Sequence, residues 1–198
     1  MKTGNIMANE QAKCMAAHHN LTVVQGRGRS LFSVEEVKRY LRVDCNDDDT
    51  LIESLIAAAI NHVEQHLGRT LLKTRYKLGW QYCRHEHYLD YFVVHLPMGP
   101  VLSVEKVFDC HRQENLKRVS VDIESSKPNV MFACNHEQVF IEYTAGYGET
   151  PECVPPEIRQ ATLSIIAELY RNRDSVTPTS LKAFLEGLLF CHMPKRLG

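Results

Sequence analysis

The chain has 198 residues, 44% of them hydrophobic and 24% charged, an ordinary balance for one globular domain or one domain with an appended segment. Its formal net charge of -1 argues against a bulk electrostatic grip on nucleic acid or an anionic membrane. No run approaches 18 apolar residues and no apolar stretch follows Lys2 and Lys13, so neither a membrane span nor a signal peptide is expected.

Seven cysteines occur at irregular spacing without a CxxC pair. That pattern reads as reduced cytosolic thiols, not as a disulfide framework. Residues 1–30 are poorly patterned and read as a flexible N-terminal arm, with a short extended piece at 21–24 and a basic run, Gln25-Gly26-Arg27-Gly28-Arg29. Ser33 and Glu36 then form a capping box, and the short helix that follows to about Leu41 puts Val34, Val37, Tyr40 and Leu41 on one face. A brief connection leads into the longest element, residues 47–69. Leu51, Leu55, Ala59 and Val63 make its stripe, and Ile52, Ile56, Ile60 and Leu67 widen it. Asp47, Asp48 and Asp49 suit the N-terminal end, and Gly68 suits the left-handed position past the last turn.

From Leu71 to Tyr143 the period changes from helical to two. Tyr76, Leu78 and Trp80 alternate, as do Phe92, Val94 and Leu96, then Val119, Val121 and Ile123, then Val139, Ile141 and Tyr143. Pro97, Gly99 and Pro100 mark a turn before a further strand at 101–108. Four to six short strands are expected here. Pro156 begins a third helix at its first position, with Ile158, Ala161, Thr162, Ile165, Ile166, Leu169 and Tyr170 on a broad apolar face through to Arg173. Pro178 breaks the chain, and Thr179 or Ser180 caps a last helix, 181 to about 190, apolar nearly all round.

The expected fold class is therefore α+β and mainly α-helical. A helical core of short, long, third and C-terminal helices carries a β-rich insertion between the second and third. The domain plan is an arm at 1–30, a main domain at 31–177 with its insertion at about 71–146, and a C-terminal helix and tail at 178–198.

Candidate chemistry is thin. His62 and His66 lie four apart on the long helix and could share a metal, but Val63 stands where the zincin pattern needs glutamate. Cys83, His85 and His87 alternate on one strand face without a distant partner pair, and nothing singles out an activated cysteine. The TAGYGET glycines spell no phosphate loop, and Asp47, Asp48 and Asp49 lack the spacing of a Ca²⁺ loop. Arg171 and Arg173 read as helix-end charges or interface residues. No catalytic residue, cofactor or metal is assigned.

Five stretches in order carry a resemblance. They are SVEEVKRYLRVD (33–44), DDDTLIESLIAAAINHVEQHLGRTLL (47–72), LPMGPVLSVEKV (96–107), IEYTAGYG (141–148) and VPPEIRQATLSIIAELYRNRD (154–174). Together the chain resembles phage head–tail connector proteins of the adaptor type, found in tailed phages and prophages. The resemblance implies a non-enzymatic ring protein, a dodecamer in the virion. It would bind beneath the portal protein once DNA is packaged, extend the conduit without sequence-specific DNA contact, and present a platform to the stopper or tail-completion protein. Its location would be the head–tail interface, after assembly in the host cytoplasm.

In such adaptors the last helix reaches toward the portal. A C-terminal helix too apolar to stand alone agrees, and Phe184, Leu185, Leu188, Leu189 and Phe190, with Arg171 and Arg173, are the candidate docking residues. Two rivals come from other classes. A metal-dependent hydrolase would use His62 and His66, and a helix-turn-helix DNA-binding regulator would use the helices of residues 33–69. The second helix is too long and too acidic at its start for the latter.

Overall fold

The computed structural model describes residues 18–26, 30–81, 91–112, 114–117, 119–125, 127–133, 136, 138–172, 187 and 189. In chain order they form β1 (His18–Gln25), α1 (Val34–Leu41), α2 (Asp49–Leu67), β2 (Thr74–Gln81), β3 (Tyr91–His95), β4 (Val101–Asp109), β5 (Glu114–Asn115), β6 (Val119–Asp122), β7 (Asn129–Ala133), β8 (Gln138–Ala145), a 3₁₀ turn (Pro151–Cys153) and α3 (Pro156–Arg171). The chain divides into two compact units. One is β-rich, from residues 1–25, 75–96 and 101–144, and the other is helical, from residues 26–74, 97–100 and 145–198.

In the β-rich unit one sheet has the order β1-β2-β8-β4-β5 and a second has β3-β7-β6. β2 alternates buried and half-buried residues, which sends Tyr76, Leu78 and Trp80 to one face. Trp80 meets Phe92 of β3 at 4.7 Å between ring centroids and the edge of Phe132 of β7 at 5.3 Å, an aromatic core shared by both sheets. Tyr76 stacks on Tyr143 of β8 at 5.6 Å.

The helical unit has its own cluster. Val37 of α1, Ile52, Ile56, Ala59, Ile60, Val63 and Leu67 of α2, and Ile158, Ala161, Ile165 and Ile166 of α3 are buried together with Leu31, Phe32 and Leu189. Gly68 ends α2 in the left-handed conformation at φ 59°. Ser33 accepts from the Glu36 N–H at 3.1 Å, and α3 has proline in its first turn, both as the sequence suggests.

The mainly α-helical expectation is wrong. There are three α-helices among the described residues, and strand (36%) slightly exceeds helix (35%), in two antiparallel sheets. The physical reason is that β1 is exposed at most positions and β5 is two residues long, so neither prints a period of two, while β7 is short and carries only two buried residues. The helices, buried along one side, print their period clearly. The acidic triplet also serves differently from the expected cap. Asp48 is the N-cap residue of α2 but makes no side-chain cap bond; it accepts from the Tyr170 hydroxyl of α3 at 2.5 Å. Asp49 instead pairs with Lys38 of α1 at 2.8 Å.

Ile166 is fully buried whereas Leu55 lies at the margin of the same cluster. Ile166→Ala should lower unfolding free energy by about 2–5 kcal/mol, and Leu55→Ala by clearly less. Equal losses in chemical denaturation would show that the α2–α3 face is assigned wrongly.

Candidate functional site

The sequence candidates do not converge on a reaction centre. His62 and His66 are both exposed on α2, with near-parallel rings 6.4 Å apart. Among the described residues no group of three His, Cys, Asp or Glu side chains is placed to hold a metal ion. Cys83, His85 and His87 lie outside the described residues. Cys45, Cys110 and Cys153 are free thiols. Among the described residues no helix is long and apolar enough to cross a membrane.

An open cleft of about 430 Å³ lies between the start of α1 and the middle of α2. Phe32, Val34, Ile56, Ala57 and Ile60 line it, with Ser33 and Glu53. The Ser33 hydroxyl is committed to the α1 cap, so the cleft offers an apolar surface with the Glu53 carboxylate and the Ser30 hydroxyl, and no histidine lines it.

The densest polar arrangement is a loop lock in the β-rich unit. Asp109, 2% exposed at the end of β4, accepts backbone N–H bonds from His111 at 2.8 Å and Arg112 at 3.0 Å, and its other oxygen meets His136 Nδ1. Burial alone would raise the carboxyl pKa, but the His136 contact and the two backbone donors outweigh it and hold the group below its ordinary value. Sequence reasoning missed this pair because it joins the last residue of β4 to a residue 27 positions on that lies outside any helix or strand. Neighbouring Cys110 has its thiol pushed up by burial and by the Asp109 charge, the opposite of an activated nucleophile.

The stretches that carry the resemblance do come together. Within the helical unit the Thr70 N–H bonds Gly99 O at 3.0 Å, Gly146 N–H bonds Pro100 O at 2.9 Å, Tyr147 N–H bonds Leu71 O at 3.1 Å and Lys73 N–H bonds Gly148 O at 2.7 Å. Residues 69–73, 98–100 and 146–148 thus form one woven patch. Gly146 has φ 130°, and a Cβ there would lie 2.6 Å from the Leu72 carbonyl carbon, so the glycines of TAGYGET permit close backbone approach. Their role is architectural.

Of the candidate docking residues, Arg171 is exposed at the last position of α3. Leu189 is 1% exposed and belongs to the chain's own helical cluster. Arg173, Phe184, Leu185, Leu188 and Phe190 lie outside the described residues. The surface also shows apolar side chains on strands: Val23 and Val24 on β1, Tyr91 and Val93 on β3, Leu102 on β4 and Val121 on β6.

A sequence model of the head completion protein family matches residues 30–180. The chain belongs to that family. The resemblance to head–tail connector proteins read from five stretches is borne out. No curated protein matches the chain. Among solved structures the chain is similar to one in the neck of an empty gene transfer agent particle computed with C6 symmetry, with a TM-score of 0.72 and 20% identity over 90% of this chain and 97% of that one. A chain of the native gene transfer agent virion gives 0.69 at 21% identity, with the same coverage of both. One from the native neck computed with C12 symmetry gives 0.66 at 20%, again over 90% and 97%. At these identities the likeness establishes a shared fold.

Replacing both His62 and His66 by alanine should leave the melting temperature and metal content of the purified protein unchanged, since both rings are exposed on the helix surface. Stoichiometric zinc lost together with the fold would revive the metal reading. For Asp109, a depressed native pKa means that its contribution is complete above the unfolded value near 3.8 and fades as pH falls through the lower native value. Asp109→Asn should therefore be less stable than the wild type at pH 7, by about 1–3 kcal/mol. The gap should narrow below about pH 4. A gap that stays constant down to pH 2 in urea titrations would contradict this account.

Proposed function

We propose that the chain is the head–tail connector of a tailed phage, prophage or related particle. It forms a ring beneath the portal, extends the DNA conduit and joins the DNA-filled head to the stopper or tail. The observation that carries this reading is the head completion family match across residues 30–180, on a fold shared nearly end to end with neck proteins of gene transfer agents. A structural role fits a molecule in which Ser33 caps a helix, Glu36, Asp48 and Asp49 tie helices together, and Asp109 locks a loop. Twelve copies in the virion, assembled from cytoplasmic subunits, complete the reading. The net charge of -1 suits a conduit through which DNA slides without sequence-specific contact.

Partner docking we assign to the C-terminal segment and the end of α3, through Phe184, Leu185, Leu188, Phe190, Arg171 and Arg173. Leu189 is occupied in the chain's own core and takes a different part. The domain plan belongs to the same reading, with the adaptor domain at 31–177, the docking segment at 178–198, and an arm at 1–30 of which β1 joins the β-rich unit.

Genetic removal of the chain should leave DNA-filled heads and free tails that do not join, counted by electron microscopy and by transfer or infection titre. Supplying the wild type should restore joining. Phe184→Ser with Leu188→Ser should remain folded yet restore it poorly, whereas Leu189→Ala should be visibly less stable. Joined particles at normal yield in the absence of the chain would overturn the function. Full restoration by the double variant would overturn the docking assignment alone.

A further inference from the structure

The five-stranded sheet of the β-rich unit has two ends, and among the described residues neither is closed. At one end β1 pairs with β2 through Gln25↔Arg75 and from Val23↔Tyr76 to His18↔Gln81, and no described strand lies on its other side. Its side chains are correspondingly bare: Val23 is 58% and Val24 50% exposed. At the other end β5 has two residues and covers β4 only at Phe108 and Asp109. One further bond, from Leu116 N–H to Val107 O, extends that cover. From Val101 to Lys106 the outer edge of β4 has no neighbouring strand among the described residues, and Leu102 is 43% exposed.

Open edges carry rows of unpaired N–H and C=O groups and recruit other strands unless prolines, charges or bulges blunt them. β1, HHNLTVVQ, has no proline, lysine, arginine or acidic residue, and its one irregularity is the register shift between Val23 and Gln25. The uncovered part of β4, from Val101 to Lys106, carries Glu105 and Lys106, a balanced pair, and no proline.

The two edges also match each other. The sheet is antiparallel, so β1, β2, β8 and β4 alternate in direction, and a β4 edge set beside the β1 edge of a second copy in the same orientation meets it antiparallel. Six residues of overlap span about 20 Å, as long as an ordinary strand. Such a contact joins two different surfaces, which is the kind that closes into a ring when the rotation permits.

We propose that β1 of one copy adds to the outer edge of β4 of the next, continuing the five-stranded sheet from subunit to subunit. The occupant of each edge is a second copy of this chain. Affinity comes from main-chain hydrogen bonds, with Val23 and Leu102 covering one another's apolar surroundings. This inference rests on the connector reading, because it describes how the ring is held.

The test uses particles assembled with the full chain carrying Val23→Cys or Thr22→Cys together with Leu102→Cys, Ser103→Cys or Val104→Cys, so that both faces and several registers are sampled. After mild oxidation, at least one pairing should give a ladder of chain multimers on a non-reducing denaturing gel. The ladder should collapse on reduction and exceed whatever the seven native cysteines give in the wild type and in variants carrying only one of the two added cysteines. Joined particles that contain the chain but show no multimers above those controls would overturn the edge pairing and leave the connector reading standing. A cross-link to a different protein would overturn it as well. Joined particles lacking the chain would overturn both.

Discussion

The helical unit depends on a patch of backbone where three separate stretches of chain must lie within hydrogen-bonding distance of one another. Residues 69–73 come after α2, residues 98–100 link β3 to β4, and residues 146–148 come after β8. Four main-chain bonds of 2.7–3.1 Å hold them, satisfying backbone groups of which those at Thr70, Leu71 and Gly146 are buried. Gly146 makes the approach possible, since any side chain there would meet the backbone of Leu72 and Lys73. Glu64 adds to it from the last turns of α2. Its buried carboxylate accepts the Leu71 N–H at 2.9 Å, fixing how the chain leaves the helix. The start of β2 and the path of the chain beyond β8 are thereby set within the helical unit itself.

Polar ties then give the helices their angles without supplying most of their stability. Lys38 reaches Asn46 at 2.6 Å and Asp49 at 2.8 Å, Arg159 of α3 reaches Glu36 of α1 at 2.9 Å, and Tyr170 reaches Asp48. Partly exposed ion pairs contribute about 0–1 kcal/mol each. Burial of a single isoleucine from the cluster is worth more, about 1.5–3 kcal/mol. The apolar stripes bring α1, α2 and α3 together, and the ties choose among the ways they can pack. That division of labour explains why the acidic start of α2 is spent on neighbours and not on its own free N–H groups.

The parts of this fold that are legible in the sequence are those where one face is buried and the other wet. α2 and α3 announce themselves through Ile52, Ile56, Ile60, Ile158, Ile165 and Ile166, and β2 and β8 through Tyr76, Leu78, Trp80, Val139, Ile141 and Tyr143. β1 is a weak signal because most of its residues are exposed, and β5 is too short to carry any period. Periodicity therefore undercounts strand relative to helix in this chain. At the level of chemistry, the Asp109–His136 lock is invisible because its partners share no periodic element. The five resemblance stretches are informative because three of them carry the backbone weave, a constraint on glycine and proline positions that a linear pattern records well.

An assembly site built on strand edges is hard to read from sequence for a deeper reason. A catalytic centre demands particular side chains at fixed spacing, whereas main-chain pairing demands only extended backbone and the absence of blockers. The marks of β1 are therefore negative: no charge, no proline, and valines left in water at the end of a sheet. A monomer keeps such a strand at the risk of aggregation, and the risk is tolerable when a defined partner edge is waiting on the same molecule. A ring supplies that partner to every copy but leaves no free end, because each β4 edge faces the β1 edge of the next subunit. On this view the bare edges are the binding site.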